Sequence, residues 1–233
     1  MDAFVVCLGP RDQLSEDSAA RVAERACVPV ERVVRIEDLA ERAFAGEAGG
    51  LRSAFGSSGA CVIGCSRPRA VRALLDYAGA GWRERPITWL ALPFDREALR
   101  SEYGVPWYPV IDRSRCSGCG TCLEYCLFSV YAADGAREPA QRVSVRAPLN
   151  CKTGCPACAR LCPEGALIFP FCAEAELNGE MEAPAHRTRE ELAAALGDDP
   201  MRLLAERRAK RRLIDPGKFD DAERDRVLFS GVL

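Results

Sequence analysis

The chain has 233 residues, 48% of them hydrophobic and 28% charged, and its 32 basic and 34 acidic side chains leave a net charge of −2. Such a balance belongs to ordinary globular proteins; no segment joins strong positive charge to a nucleic-acid reader motif, and no apolar run is long enough to cross a bilayer. The opening residues MDAFVVCLGP carry no basic region ahead of their short apolar stretch, so they read as a buried strand and not as a secretion signal, and a cytoplasmic location is expected.

Residues 1–104 alternate strand-like and helix-like stretches. Ala3 to Leu8 is an apolar run closed by the turn residues Gly9 and Pro10, and Ser15 opens a helical pattern with Ala19, Val22, Ala23 and Ala26 on one side. Arg32 to Ile36 is a second strand. Leu39 to Phe55 holds one helix broken near Gly49-Gly50, or two short ones. Ala60 to Gly64 is a third strand followed by a helix over Arg69 to Tyr77; Ile87 to Leu92 is a fourth, closed by Pro93, and Asp95 caps a short helix to Tyr103. This alternation predicts an α/β domain, a small parallel sheet with helices on its faces.

In GACVIGCSRPRAVRALLDYAG, residues Cys61, Cys65, Ser66, Pro68 and Arg69 lie around a strand end and a helix start, where open α/β sheets place ligands. Residues 1–80 resemble the N-terminal α/β region of the heterodisulfide reductase A subunit, whose strand also ends in a cysteine-serine-proline-arginine turn. Here Arg67 is inserted before Pro68, and Cys7 stands alone after the first strand. One reading gathers Cys7, Cys61 and Cys65 at a sheet edge as a further metal site, with Cys27 as a candidate fourth ligand; the other makes them small buried hydrophobes. Neither G-x-G-x-x-G nor G-x-x-x-x-G-K-[ST] occurs.

After the connector YGVPWYP, whose Trp107 and Tyr108 either screen a metal centre from water or pack two domains together, eight of the 13 cysteines fall in two runs. Cys116, Cys119, Cys122 and Cys126 have the spacing C-x2-C-x2-C-x3-C; Cys151, Cys155, Cys158 and Cys162 follow, and Pro163 comes directly after. Paired cysteines also serve zinc, which takes four ligands from two pairs, whereas each run here supplies an additional regularly spaced thiol. Iron-sulfur and zinc both stay open, with spacing favouring iron-sulfur. Between the runs, Val130-Tyr131 and Val143 to Val145 bracket Asp134-Gly135 as a hairpin, and PEGALIFP returns to a short strand. Cys172 is left over as a buried thiol.

Residues 108–172 resemble the bacterial-type ferredoxins with two [4Fe-4S] clusters. That resemblance implies an α+β ferredoxin-like module in which Cys116, Cys119, Cys122 and Cys162 hold cluster one and Cys151, Cys155, Cys158 and Cys126 hold cluster two. The sequence departs from the family in the three residues between Cys151 and Cys155, where two are usual, and in Leu127, which stands where the family has proline. Gly118, Gly120 and Gly154 are expected to let backbone N–H groups approach sulfur. Arg113, Arg115, Lys152 and Arg160 are placed to offset cluster charge, or are simply solvated.

Residues 173–233 form a charged helical C-terminal extension. Thr188 and Glu191 make a capping box, and Asp199-Pro200 starts a further helix ending in Arg207, Arg208, Lys210, Arg211 and Arg212, a candidate docking patch for an acidic redox partner or a plain dipole-favoured C-terminus. Val227 to Leu233 ends the chain with apolar residues. The expected division is therefore 1–104, 105–172 and 173–233. The expected role is an electron-transfer protein or oxidoreductase subunit with two [4Fe-4S] clusters, serving a redox partner that the heterodisulfide-reductase likeness makes a flavoenzyme. A redox subunit with its own site in the α/β domain and a zinc-stabilised interaction module are the alternatives. The only histidine is His186, and no nucleophile-base pair is visible.

Overall fold

In the computed structural model, which describes residues 1–9, 14–15, 17–56, 59–94, 106–181, 188, 190–191 and 194, the apolar run after Asp2 becomes strand β1 (Asp2–Val6). It pairs in parallel with β2 (Val33–Ile36) on one side and β3 (Cys61–Cys65) on the other, and β4 (Ile87–Ala91) completes the order β2-β1-β3-β4. The inner strands β1 and β3 are buried on both faces, as continuous apolar runs in parallel sheets are, while β2 and β4 are partly exposed edges.

Helix α1 (Ser18–Ala26) covers one face, packing Val22 and Ala26 on Ala3, Val5, Cys7 and Val62. The other face packs Phe4, Val6, Leu8 and Ile63 against α2 (Leu39–Phe44), α3 (Ala48–Phe55) and α4 (Pro68–Tyr77) through Leu39, Leu51, Phe55 and Leu74. The break between α2 and α3 falls at Ala45–Glu47, where Gly46 takes φ +79°, and not at Gly49-Gly50, which lie inside α3. A glycine with positive φ ends a helix, whereas a glycine pair with ordinary φ is only a weak spot in one.

Beyond the sheet the elements are short: β5 (Val110–Ile111), α5 (Thr121–Tyr125), β6 (Tyr131–Ala133), β7 (Val143–Val145), α6 (Ala157–Arg160), β8 (Leu167–Ile168) and α7 (Ala175–Asn178). β5 pairs antiparallel with β8, and β6 with β7. The β5/β8 pair is a partition. Side chains alternate across a strand, so Val110 and Ile168 join the core beneath the sheet with Tyr108 and Phe171, while Ile111 and Leu167 face the cysteines.

Two buried arginines at the start of α4 tie the parts together. Arg67 donates to the carbonyl of Pro170 at 2.6 Å, with Phe94 and Phe171 rings over its guanidinium. Arg69 bridges Asp112 (3.3 Å) and the carbonyl of Gly165 (2.9 Å). Phe171 fills the crevice between the ends of β1 and β3, where its ring lies so close to Gly9 that a Cβ there would clash. The position at which open α/β sheets bind ligands is thus taken by the chain itself. Residues Met1–Arg187 form one compact unit.

The second unit spans Thr188–Leu233. In it the Thr188 hydroxyl accepts from Glu191 N at 3.2 Å and the Glu191 carboxylate accepts from Thr188 N at 2.7 Å, which is a capping box. Pro10, the helix expected from Asp95 to Tyr103, His186, the helix from Pro200, the cluster Arg207 to Arg212 and the apolar end Val227 to Leu233 lie outside the described residues. Among the described residues no helix is long and apolar enough to cross a membrane.

Candidate metal centre

Each cysteine run follows one strand and precedes another. Run one leaves β5 through Asp112, whose carbonyl accepts from Cys116 N (3.1 Å) and whose side chain accepts from Ser114 N (3.1 Å), so the chain turns sharply before the first thiol. Gly118 has φ +68°, and a Cβ there would strike the carbonyl of Pro139. Its freedom is needed because another loop crosses it, a different reason from approach to sulfur. Run two leaves β7 through the 3-10 turn Pro148–Asn150. α5 and α6 then carry Cys122 and Cys158, and Cys126 and Cys162 follow their last turns.

Strand pairing then crosses the two halves. β8, which follows Cys162, pairs with β5, which precedes Cys116; β6, which follows Cys126, pairs with β7, which precedes Cys151. Cys162 is carried to run one, and with Cys116, Cys119 and Cys122 it lines one pocket, closed by Ile111, Val143, Ala166 and Leu167. Cys126 is close enough to Cys151 and Cys158 to act electrostatically on both, and Cys155 acts on Cys151.

These sulfurs oppose one another. Burial, then the nearby Cys162 and Cys116, pushes the Cys122 thiol up to about 12. Burial, then Cys155 and Cys126, pushes Cys151 up to about 12 against the favourable indole of Trp107. Cys158 is also raised by burial, opposed by the Tyr131 hydroxyl at 3.1 Å from its Sγ. Burial raises Cys162 too, but the Ala166 N–H donates to its Sγ at 3.3 Å. Negative sulfur is therefore disfavoured here until positive charge enters; a metal centre held between the thiols would supply it and release their protons. The donor set fits a cationic, thiolate-bound centre. Among the described residues no three His, Cys, Asp or Glu side chains draw together closely enough to hold a single ion, so the four thiols at the pocket surround a space more than they converge on a point.

The aromatic connector divides between the two sides. Tyr108 stacks edge-on to Phe44, 4.6 Å between centroids, in the core beneath the sheet, whereas Trp107 packs on Phe169 at 5.2 Å beside the cysteines. Arg113 and Arg115 donate to the carbonyls of Val143 (2.7 Å) and Glu164 (2.8 Å), and Arg160 pairs with Glu174 (2.7 Å). Cys7, Cys61 and Cys65 are not brought together: Cys7 faces the α1 side, Cys61 and Cys65 face the other side, and those two sit at opposite ends of β3. Cys27 is exposed at the end of α1. Cys172 is buried, its carbonyl accepting from Asn178 Nδ2 at 3.1 Å.

Sequence reasoning missed Tyr131 as a sulfur partner and Arg69 as the latch on both strands at one end of the β5/β8 pair. Neither has a local signal, since an apolar-flanked tyrosine and a helix-start arginine look alike wherever they point.

Buried thiols placed by crossed strands around a shared space are a donor set that fits a cysteine-ligated metal centre. Over 81 residues the chain is 37% identical to an uncharacterized ferredoxin of Methanocaldococcus jannaschii, which covers 32% of this chain and 52% of that protein. Over 78 residues it is 33% identical to Ferredoxin-3 of Nostoc sp., covering 26% of this chain and 79% of the relative. No family model matches the chain, and no solved structure matches it. The chain belongs to the ferredoxins. It spans about half the length of the Methanocaldococcus relative.

Proposed function

We propose that the chain is an electron-transfer protein holding two [4Fe-4S] clusters, one on Cys116, Cys119, Cys122 and Cys162 and the other on Cys151, Cys155, Cys158 and Cys126. The observation that carries this reading is the pocket in which Cys162 meets the three leading thiols of the other run. When bound, the clusters supply one-electron oxidation and reduction. The chain's own residues do the rest: Ile111, Val143 and Leu167 exclude water, Arg69 fixes the strands from which the thiols hang, and N–H and O–H groups meet the sulfurs. Residues 105–172 are the carrier in this reading, 1–104 its scaffold and 173–233 an extension for a redox partner. A flavoenzyme is the partner class suggested by the resemblance of residues 1–80 to the heterodisulfide reductase A subunit, with Arg207, Arg208, Lys210, Arg211 and Arg212 as docking cations.

Quantifying metal and acid-labile sulfide on anaerobically purified protein tests the proposal. About eight irons and about eight sulfides per chain are expected. Cys162→Ser should lose at least the cluster built on run one. Zinc in place of iron, or iron without sulfide, contradicts it.

A further inference from the structure

The two sets of thiols do not meet the same donors. Around Cys162 and Cys122 the donors are backbone N–H groups: Ala166 N lies 3.3 Å from Cys162, whose thiolate Glu164 and Leu167 also favour, as Leu123 favours that of Cys122. At the other set, two aromatic side chains arrive. The Tyr131 oxygen lies 3.1 Å from Cys158 Sγ, and Tyr131 is only 5% exposed. A ligating thiolate carries no proton, so in the loaded protein the tyrosine must be the donor. The Trp107 Nε1–H is buried with no hydrogen-bond partner among the described residues, and the indole packs against the same core as Cys151, whose thiolate it favours. Thr121 does approach Cys119 (3.3 Å), but that thiol is exposed, where water competes for the same bond.

We propose that Tyr131 and Trp107 are potential-setting residues that raise the potential of the cluster held by Cys151, Cys155, Cys158 and Cys126. This rests on the two-cluster reading above. Reduction adds one electron and no other charge, so the sulfurs become more negative and accept more strongly from a fixed donor; a buried O–H or N–H then stabilises the reduced form more than the oxidised one. Both donors are side chains on one cluster's ligands, so removing either one acts on one couple and not on both. Tyr131 and Trp107 touch ligands and not the electron's donor or acceptor, so their role is positioning and tuning.

The test is an anaerobic potentiometric titration of the full chain, followed by absorbance and by the paramagnetic signal of the reduced protein, for wild type, Tyr131→Phe and Trp107→Phe, with iron and sulfide counted in each. Each variant should lower the same one of the two waves and leave the other in place. The expected shift for Tyr131→Phe is roughly a tenfold change in the equilibrium sharing of an electron, about 59 mV for a one-electron couple. If Tyr131→Phe sheds its clusters, Trp107→Phe decides. Iron and sulfide at wild-type levels with no wave moved, a wave raised, both waves moved alike, or a different wave moved by each variant would overturn the proposal. A wild-type protein without iron and sulfide would instead overturn the two-cluster reading on which it stands.

Discussion

Strands β1 and β3 run five residues each and are buried almost throughout, whereas β5 and β8 run two residues each and β6 and β7 three. The sheet region has Phe4, Val6, Ile63, Leu74 and Phe55 to hold it from within. The cysteine region counts half-buried thiols among its own packing, with Cys116, Cys122, Cys126, Cys151 and Cys158 against its small core. Helices of four or five residues do not persist by themselves, and a core of this kind has sulfur where a self-sufficient domain would have leucine. One part of the unit is therefore folded by apolar burial and the other is completed by what the sulfurs bind, with the β5/β8 pair as the wall between them.

Metal removal should separate the two most strongly. Stripping iron with a chelator under anaerobic conditions should raise amide exchange across residues 112–166, while the amides of β1 and β3 keep their protection, as followed by hydrogen exchange with mass spectrometry. Uniform loss in both regions would mean that the sheet depends on the metal as well.

Cutting the latch comes next. Arg69 and Asp112 have side chains only 4% and 13% exposed, so Arg69→Ala leaves a nearly buried carboxylate without its cation and should cost about 3–5 kcal/mol in denaturant unfolding. A cost near zero would show that the wall stands without α4. Smaller still is the glycine test. Gly118→Ala places a Cβ on the Pro139 carbonyl at positive φ, whereas Gly120→Ala has the same backbone problem, φ +79°, with open space around it. Gly120→Ala should cost about 1 kcal/mol and Gly118→Ala clearly more; equal costs would put the whole effect in the backbone angle.

Much of the sheet was legible because period and punctuation coincide. The four strands fall within two residues of the runs at Ala3, Arg32, Ala60 and Ile87, and the hairpin of β6 and β7 lies where Val130-Tyr131 and Val143 to Val145 place it. Of the two readings of Leu39 to Phe55, two short helices is the one found; the break lies at Gly46, whose φ no sequence pattern reports, and not at Gly49-Gly50. The gathering of Cys162 with run one followed from spacing and family resemblance, but the seating of Phe171 against Gly9, and of Arg67 on Pro170, joins residues more than a hundred positions apart. Such contacts have no local period. The same holds for Cys7, Cys61 and Cys65: strand ends were readable, but the face to which each side chain turns depends on register, and register put Cys7 across the sheet from the others.

The central claim, that two clusters share one interlocked module, is tested most directly by the electron paramagnetic resonance spectrum of the fully reduced protein. Cys122 acts electrostatically on Cys158 of the other set, so the two sets of thiols are neighbours, and the account predicts two signals broadened and split by their mutual magnetic coupling. A single isolated signal that integrates to one spin per chain, or no signal at all from iron-replete protein, would contradict it.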